Sequence, residues 1–483
     1  MMQRRQFVQT LGAGSAVAGL GLLGGCAAGG ASGAKVVVVG GGYGGATAAK
    51  YVRLFSDYGI NVTLIEPNPA FVSCPISNLV IQGSKTIADI TTPYDNLEKR
   101  HGVKMVRDMV ASIDAEKRMV KLASGGELPY DRLILSPGID FMWDTLPGMA
   151  KPGAQDKVLH AWKAGAQTVA LRKQLEAMPD GGVYALSIPL APYRCPPGPY
   201  ERACMVANYF KKAKPKSKVV IFDANDDITS KKGLFMKAWD EHYKGLIEYR
   251  PKHKLVDVDA ATNTLKFEFN DDFKAGVANV LPAMRAGDLA VKSGLATANA
   301  RWCEVDFLTF ESKAAKNIHV LGDSIQIAPA MPKSGHMANQ HGKTCAAAVV
   351  SLLQGKEPPS MPIYANTCYS FVTATDVVHV ASVHRYDAEK KTMLTVPGSG
   401  GLSAQANALY QCGLNAAQTP EAQWGPIRAS MDEAGQYLLS KTQLDTSSPL
   451  SDWLMPSSGA NGSSALSGAG SLADASANLP GGA

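Results

Sequence analysis

A buried-strand run, Lys35-Val36-Val37-Val38-Val39, leads directly into Gly40-Gly41-Gly42-Tyr43-Gly44-Gly45 and then Ala46-Thr47-Ala48-Ala49-Lys50-Tyr51. Strand, glycine-rich turn and small-residue helix in that order make the opening of a dinucleotide-binding sheet, and they leave few other folds open. Each glycine of the GxGxxG set has a task. Gly40 makes the tight turn, Gly42 lets the backbone approach a pyrophosphate, and Gly45 lets the helix pack close to the strand. The helix then offers its unsatisfied N–H groups to the diphosphate. A lone glycine fingerprint is weak, but here Asn61-Val62-Thr63-Leu64-Ile65-Glu66 adds a second strand ending in an acid. Glu66 is placed to accept hydrogen bonds from ribose hydroxyls. Tyr130 to Gly138 reads as a strand closing this half.

A second element lies far downstream, where Asn317-Ile318-His319-Val320-Leu321-Gly322-Asp323 gives a short strand ending in Gly-Asp. In flavoproteins with two dinucleotide domains such an element brings its aspartate to the ribityl chain of FAD, so the FAD domain is expected to be split around an insertion. Asn339-Gln340-His341-Gly342-Lys343 is expected to open a helix that packs on it. The insertion has strand-like runs at Val183 to Ile188 and Val219 to Asp223, joined through Pro189-Leu190-Ala191-Pro192 rather than a glycine turn. Proline removes backbone donors, so this half is a degenerate nucleotide domain in which NAD is not expected.

The resulting expectation is an α/β fold with two Rossmann-like domains of the glutathione-reductase type and an α+β C-terminal interface domain. The FAD domain covers 33–150 and 305–360, the degenerate domain 151–304, and the interface domain 361–440. Residues 441–483 are low in complexity; Pro456 to Ala483 is mostly Ser, Gly, Ala and Asn, and is expected to be disordered because it cannot bury enough apolar area to offset its ordering cost.

Ahead of the fold, residues 1–32 carry Arg4-Arg5 before an apolar, glycine-rich run from Leu11 to Leu23, which reads as a twin-arginine export segment. Leu23-Gly24-Gly25-Cys26 also fits a lipoprotein cleavage site, so lipidation at Cys26 and ordinary cleavage within 27–34 both stay open. No later segment reads as a membrane span. The chain has 483 residues and a formal charge of +6. The excess is dispersed apart from Lys211 to Lys218, which reads as solvated linker, and no nucleic-acid motif accompanies it. Eight cysteines at positions 26, 74, 195, 204, 303, 345, 368 and 412 form no CxxC pair, so no metal site is expected. Absence of CxxCH excludes a covalent haem on this chain.

Further segments bring a family into view: His160-Ala161-Trp162-Lys163-Ala164-Gly165, Arg194-Cys195-Pro196-Pro197-Gly198-Pro199-Tyr200-Glu201-Arg202, Ala330-Met331-Pro332-Lys333-Ser334-Gly335 and Asn366-Thr367-Cys368-Tyr369-Ser370. With the glycine turn and Glu66, they make the chain, over roughly residues 1–403, resemble the flavoprotein subunit of flavocytochrome c sulfide dehydrogenase, a relative of sulfide:quinone oxidoreductase. The resemblance implies FAD held by Gly40, Gly42, Gly45, Glu66 and Asp323, with Cys74 as a covalent link to the flavin. It implies a redox-active disulfide between Cys195 and Cys368, with Glu201 as a nearby acid. Arg194 is placed to stabilise a thiolate or draw in hydrosulfide.

On that reading the chain is a periplasmic FAD enzyme that oxidises hydrosulfide through the disulfide and passes electrons to a separate c-type cytochrome. Two rivals stand beside it, a sulfide:quinone oxidoreductase at the membrane and a non-enzymatic flavoprotein that binds sulfur carriers. Cys204, Cys303, Cys345 and Cys412 receive no role. After Ser403 the resemblance fades, with a helix expected at 431–440 and an apolar anchor at Trp453-Leu454-Met455.

Overall fold

The structure, a computed structural model, describes residues 33–399 and 401–406. The expected export segment with Cys26, Cys412, the helix at 431–440, the anchor at Trp453 and the 441–483 tail lie outside the described residues.

The chain opens with β1 (Lys35–Val39), α1 (Tyr43–Phe55), β2 (Asn61–Ile65), α2 (Ser77–Gln82), β3 (Lys104–Val106) and β4 (Arg132–Leu135). There follow β5 (Val183–Ile188), α3 (Gly198–Ala213), β6 (Lys218–Asp223), α4 (Lys232–His242), β7 (Ile247–Arg250) and β8 (Val277–Val280). Then come β9 (Ile318–Val320), α5 (Gly335–Leu353), β10 (Ile363–Phe371), β11 (Asp376–Asp387), β12 (Thr392–Thr395) and β13 (Gly401–Ala406).

Of the seven sheets among the described residues, three position the site. The first has the order β9-β4-β1-β2-β3 and is parallel throughout, with Val36 facing Val62 on one side and Arg132 on the other. The four valines of β1 are all buried, as a central parallel strand covered on both faces requires. The second sheet, β7-β6-β5-β8, is also parallel. The third is antiparallel: β11 pairs with β10, β12 and β13. Alternate residues of β10, namely Tyr364, Asn366 and Ser370, are buried, so one face of that strand, with Cys368 in the same period, turns inward.

α5 begins four residues before the expected start at Asn339. Ser334 caps it, its hydroxyl accepting the Met337 N–H at 3.1 Å and donating to Asn366 Oδ1 at 2.7 Å. The long helix packs against α1 at a glycine contact, where a Cβ on Gly342 would stand 2.6 Å from the Gly44 carbonyl oxygen.

The turn between β1 and α1 is built by close approach. Gly40 sits at φ +95°, and a Cβ on Gly45 would lie 1.9 Å from the Gly40 carbonyl oxygen. Around Gly42 no protein atom lies within 4 Å of a side-chain position. Gly45→Ala is therefore expected to cost about 2 kcal/mol of stability, since backbone cannot rotate out of the clash. Gly42→Ala is expected to cost less than about 1 kcal/mol. Urea denaturation of the apoprotein checks both, and equal losses would count against a packing role particular to Gly45.

Candidate functional site

A cavity of about 930 Å³ opens where the three sheets meet. Among the residues singled out from the sequence, Gly42, Glu66, Cys74, Asp323, Arg194, Cys195, Glu201 and Cys368 all line it. Gly40 and Gly45 lie behind the wall and shape its turn.

At one end the geometry suits a dinucleotide. Glu66 is fixed by the Gly41 N–H on Oε2 at 2.8 Å and by the Asn68 N–H and amide on Oε1 at 2.9 and 2.7 Å. Carboxylate oxygens have further lone pairs, so the acid keeps capacity toward the cavity. Asp323 also lines the cavity, and its buried Oδ1 has no hydrogen-bond partner among the described residues. Burial raises the pKa of its carboxyl, against the opposing charges of Arg194 and Lys333. A buried acceptor without a donor costs free energy, and a ribityl hydroxyl would supply the donor. Lys333 sits beneath it, donating to the carbonyls of Asp323 at 2.9 Å and Ile325 at 2.6 Å, and burial brings its pKa down to about 7. An open face at Gly42, the Glu66 acid and the unpartnered oxygen of Asp323 fit FAD.

The other end holds sulfur. Cys195 precedes α3 in left-handed backbone at φ +58°, and its N–H donates to the Lys333 carbonyl at 2.8 Å. Cys368 comes from β10, where the buried Lys231 donates to its carbonyl at 2.7 Å. Burial raises both thiol pKa values. The rise is large at Cys195, where the nearby Cys368 and Glu201 add to it and Arg194 and Lys231 oppose it, while at Cys368 Lys231 opposes it and Glu201 adds to it. Cys74 Sγ donates to the Trp162 carbonyl at 3.0 Å and accepts from the Ala164 N–H at 3.2 Å and from Arg194 at 3.3 Å. The guanidinium of Arg194 is thus turned to Cys74 and the Trp162 carbonyl rather than to its neighbour Cys195.

The expected redox disulfide between Cys195 and Cys368, and with it the relay to a c-type cytochrome, is not upheld. All six described cysteines, these two included, are free thiols. The two come from elements fixed independently, Cys195 by its strained loop and Cys368 by strand register, and they share a cavity without being joined.

Glu201 lies on α3 and is buried. Its Oε1 accepts the Phe371 N–H of β10 at 2.9 Å and its Oε2 accepts the Asn78 amide at 3.0 Å. Burial outweighs these donors and pushes its pKa from 4.5 to about 7. The next residue, Arg202, is fully buried. It donates to Asn78 Oδ1 at 3.0 Å, to the carbonyls of His160 and Ala161 at 2.8 and 2.6 Å and to Asn279 Oδ1 at 3.0 Å, with its guanidinium over the Trp162 ring. Asn78, Arg202 and Lys231 carry no local sequence signal for these roles. In the second sheet, Asp223 ends β6 where a ribose acid would stand. It accepts from Tyr200 at 2.7 Å, Tyr249 at 3.0 Å and the Asn225 N–H at 2.9 Å.

Comparison with known proteins agrees with this layout. Residues 34–179 match the pyridine nucleotide-disulphide oxidoreductases. Residues 168–282 match the central part of the flavoprotein chain of sulfide dehydrogenase (flavocytochrome c), and residues 360–421 match the flavin-binding part of flavocytochrome c sulphide dehydrogenase. A 46-residue stretch is 63% identical to the sulfide dehydrogenase (flavocytochrome c) flavoprotein chain of Chlorobaculum thiosulfatiphilum, covering 10% of this chain and 94% of that relative. The chain belongs to the family of flavocytochrome c sulfide dehydrogenase and sulfide:quinone oxidoreductase-like flavoproteins.

Within that family the chain is 26% identical over 299 residues to the mitochondrial sulfide:quinone oxidoreductase of Mus musculus, covering 58% of this chain and 63% of the mouse protein. It spans 65% of the Dictyostelium discoideum relative of the same name, so the match falls just short of two thirds of either. The solved sulfide:quinone oxidoreductase of Aquifex aeolicus shares the fold, with a TM-score of 0.65 at 19% identity over 85% of this chain and 96% of that one.

The buried acid gives a test of the site in any family member of this geometry. A carboxyl whose pKa rises on folding stabilises the fold fully below its unfolded pKa, and that contribution is lost as pH climbs to the folded value. For Glu201 the window runs from 4.5 to about 7. Glu201→Gln should therefore gain on the wild type across that window, by about 3 kcal/mol. Urea denaturation at pH 4 and pH 8 reads the difference; a gap that does not change with pH would mean the acid is not buried in its neutral form.

Proposed function

We propose that the chain oxidises hydrosulfide at a free thiol beside bound FAD and delivers the electrons to a quinone. The observation that carries this reading is the single cavity in which the glycine turn and Asp323 meet Cys368, Cys195 and Glu201. The quinone as acceptor is supported by the matching proteins from mouse, Dictyostelium and Aquifex, whose names pair sulfide with quinone.

One thiol suffices for the sulfur chemistry. Hydrosulfide and a cysteine thiol give a persulfide, one proton and two electrons. FAD, when bound, supplies a two-electron acceptor that can release electrons singly. Cys368 is the better candidate, because burial raises the Cys195 thiol well above its ordinary range while at Cys368 Lys231 and Ser370 oppose a rise that is less extreme. A second hydrosulfide then attacks the persulfide, leaving the Cys368 thiolate and disulfane. Glu201, ionised above about pH 7, accepts the proton released in the first step. Arg194 adds positive charge where the anion enters, and Cys195 walls the space beside the sulfur. The same reading retains export by the twin-arginine route to the periplasm.

In anaerobic stopped flow of the holoprotein, sulfide should bleach the flavin band. Cys368→Ser should slow this by about a hundredfold and Cys195→Ser by less than about tenfold. Equal losses in the two variants would overturn the single-thiol reading. Steady-state turnover should favour a short-chain ubiquinone over a c-type cytochrome, and the reverse order would overturn the acceptor.

We further propose that Cys74 is the point at which the flavin becomes covalently attached, its thiol being on the cavity wall and oriented by Arg194 and the Ala164 N–H. Acid precipitation should leave the flavin on the wild-type chain and free it from Cys74→Ser. Release from both would mean that the cofactor is held without a bond.

A further inference from the structure

Lys231 immediately precedes α4 and occupies left-handed backbone at φ +58°, a region a non-glycine residue adopts only at a cost. The turn sends the side chain away from solvent, and the residue is 5% exposed. Its Nζ crosses from the second sheet to the third and donates to the Cys368 carbonyl at 2.7 Å, Ser370 Oγ at 2.8 Å and the Val378 carbonyl at 3.2 Å. Two carbonyls and a hydroxyl thus take up the three donors of an ammonium.

Among the described residues no carboxylate pairs with it. A buried cation without a counter-ion costs free energy, and an apolar side chain of similar length would join the two sheets more cheaply. The groups around it that can change charge are those of the sulfur site. Cys195, from the loop before α3, and Glu201, on α3 itself, both feel its charge, as does Cys368 on β10. Ser370 hydrogen-bonds Cys368 on the same face of β10, and His379 on β11 is disfavoured as a cation by the same ammonium. Arg194 acts on Cys195 from the far side.

We propose that Lys231 is the positioning residue for Cys368, latching the thiol-bearing strand to the second sheet and supplying the positive charge that matches a sulfur anion formed there. This rests on the reading that Cys368 takes up sulfur. The latch makes the carbonyl of the reactive residue itself a fixed point. Among the described residues no anion is in hydrogen-bond contact with it, so its charge acts on the Cys368 thiolate and on Glu201 where that acid is ionised.

The test is peptide-resolved alkylation of Cys368 by iodoacetamide across pH in the holoprotein, because alkylation follows the thiolate. In Lys231→Met the Cys368 profile should move up by about one pH unit, which is about tenfold slower alkylation at a given pH below the midpoint. Lys231→Arg should restore most of it, and the buried Cys303 should stay unchanged in both. Lys231→Gln keeps hydrogen-bonding capacity without charge and should behave as the methionine variant does. A wild-type profile in Lys231→Met or Lys231→Gln overturns the proposal. Failure of both uncharged variants to fold, with recovery in Lys231→Arg, assigns the residue to the fold alone and overturns it too. Alkylation needs neither sulfide nor quinone, so loss of the proposed turnover with an intact alkylation shift would strike the functional reading and leave the latch standing.

Discussion

A fully buried guanidinium is tolerable only when its N–H groups find acceptors, and Arg202 finds them on three separate stretches of chain. Removing one partner of a buried charge leaves the rest uncompensated, at a cost of about 3–5 kcal/mol. The side chain therefore fixes α2 of the first layer, the His160–Ala161 turn and β8 of the second layer at one point of the cavity wall. The consequence reaches the chemistry through Asn78. With its carbonyl end held by Arg202, that amide must present its NH₂ to Glu201. A charge committed to the framework thus sets the hydrogen bonding of the acid beside it in the cavity wall.

The sulfur end is organised in an unusual way for a charged pocket. Lys231 rests on neutral acceptors and Glu201 on neutral donors, so neither is locked into an ion pair with the other. Burial alone would keep the thiols protonated and unreactive. Fixed dipoles around each charged group let protonation change without breaking a salt bridge, which suits the proposed oxidation, in which a proton and two electrons leave together. Free thiols at Cys195 and Cys368 belong in the same picture. Their environments differ enough for one to ionise more readily than the other.

Much of the dinucleotide end was legible in the sequence because backbone geometry there demands particular residues. Only glycine fits where Gly45 meets the Gly40 carbonyl, and an acid closing a strand, as at Glu66 or in the Gly-Asp before Ser324, is a pattern with a mechanism. The family segments brought Cys195, Cys368 and Glu201 to one cavity. Whether two thiols that share a cavity are bonded is a matter of tertiary geometry that residue type and spacing do not encode, and there the expectation failed. The early start of α5 was hidden because Ser334 follows Pro332-Lys333 and its capping partner is revealed only by the fold. Asn78, Arg202 and Lys231 were silent for a related reason: each acts on residues far away in sequence, and nothing local distinguishes Lys231 from the lysine beside it.

β10 supplies the Cys368 thiol, the Phe371 N–H on Glu201, the Asn366 oxygen that receives Ser334 at the head of α5, and acceptors for Lys231. The glycine turn and both parallel sheets owe nothing to it. During synthesis those sheets precede this strand, so the glycine turn, Glu66 and Asp323 are made before the strand that completes the cavity wall. Assembly is thereby ordered in time: the cavity gains its last wall, the Cys368 thiol and the acceptors for Lys231 in one step, when a single strand docks.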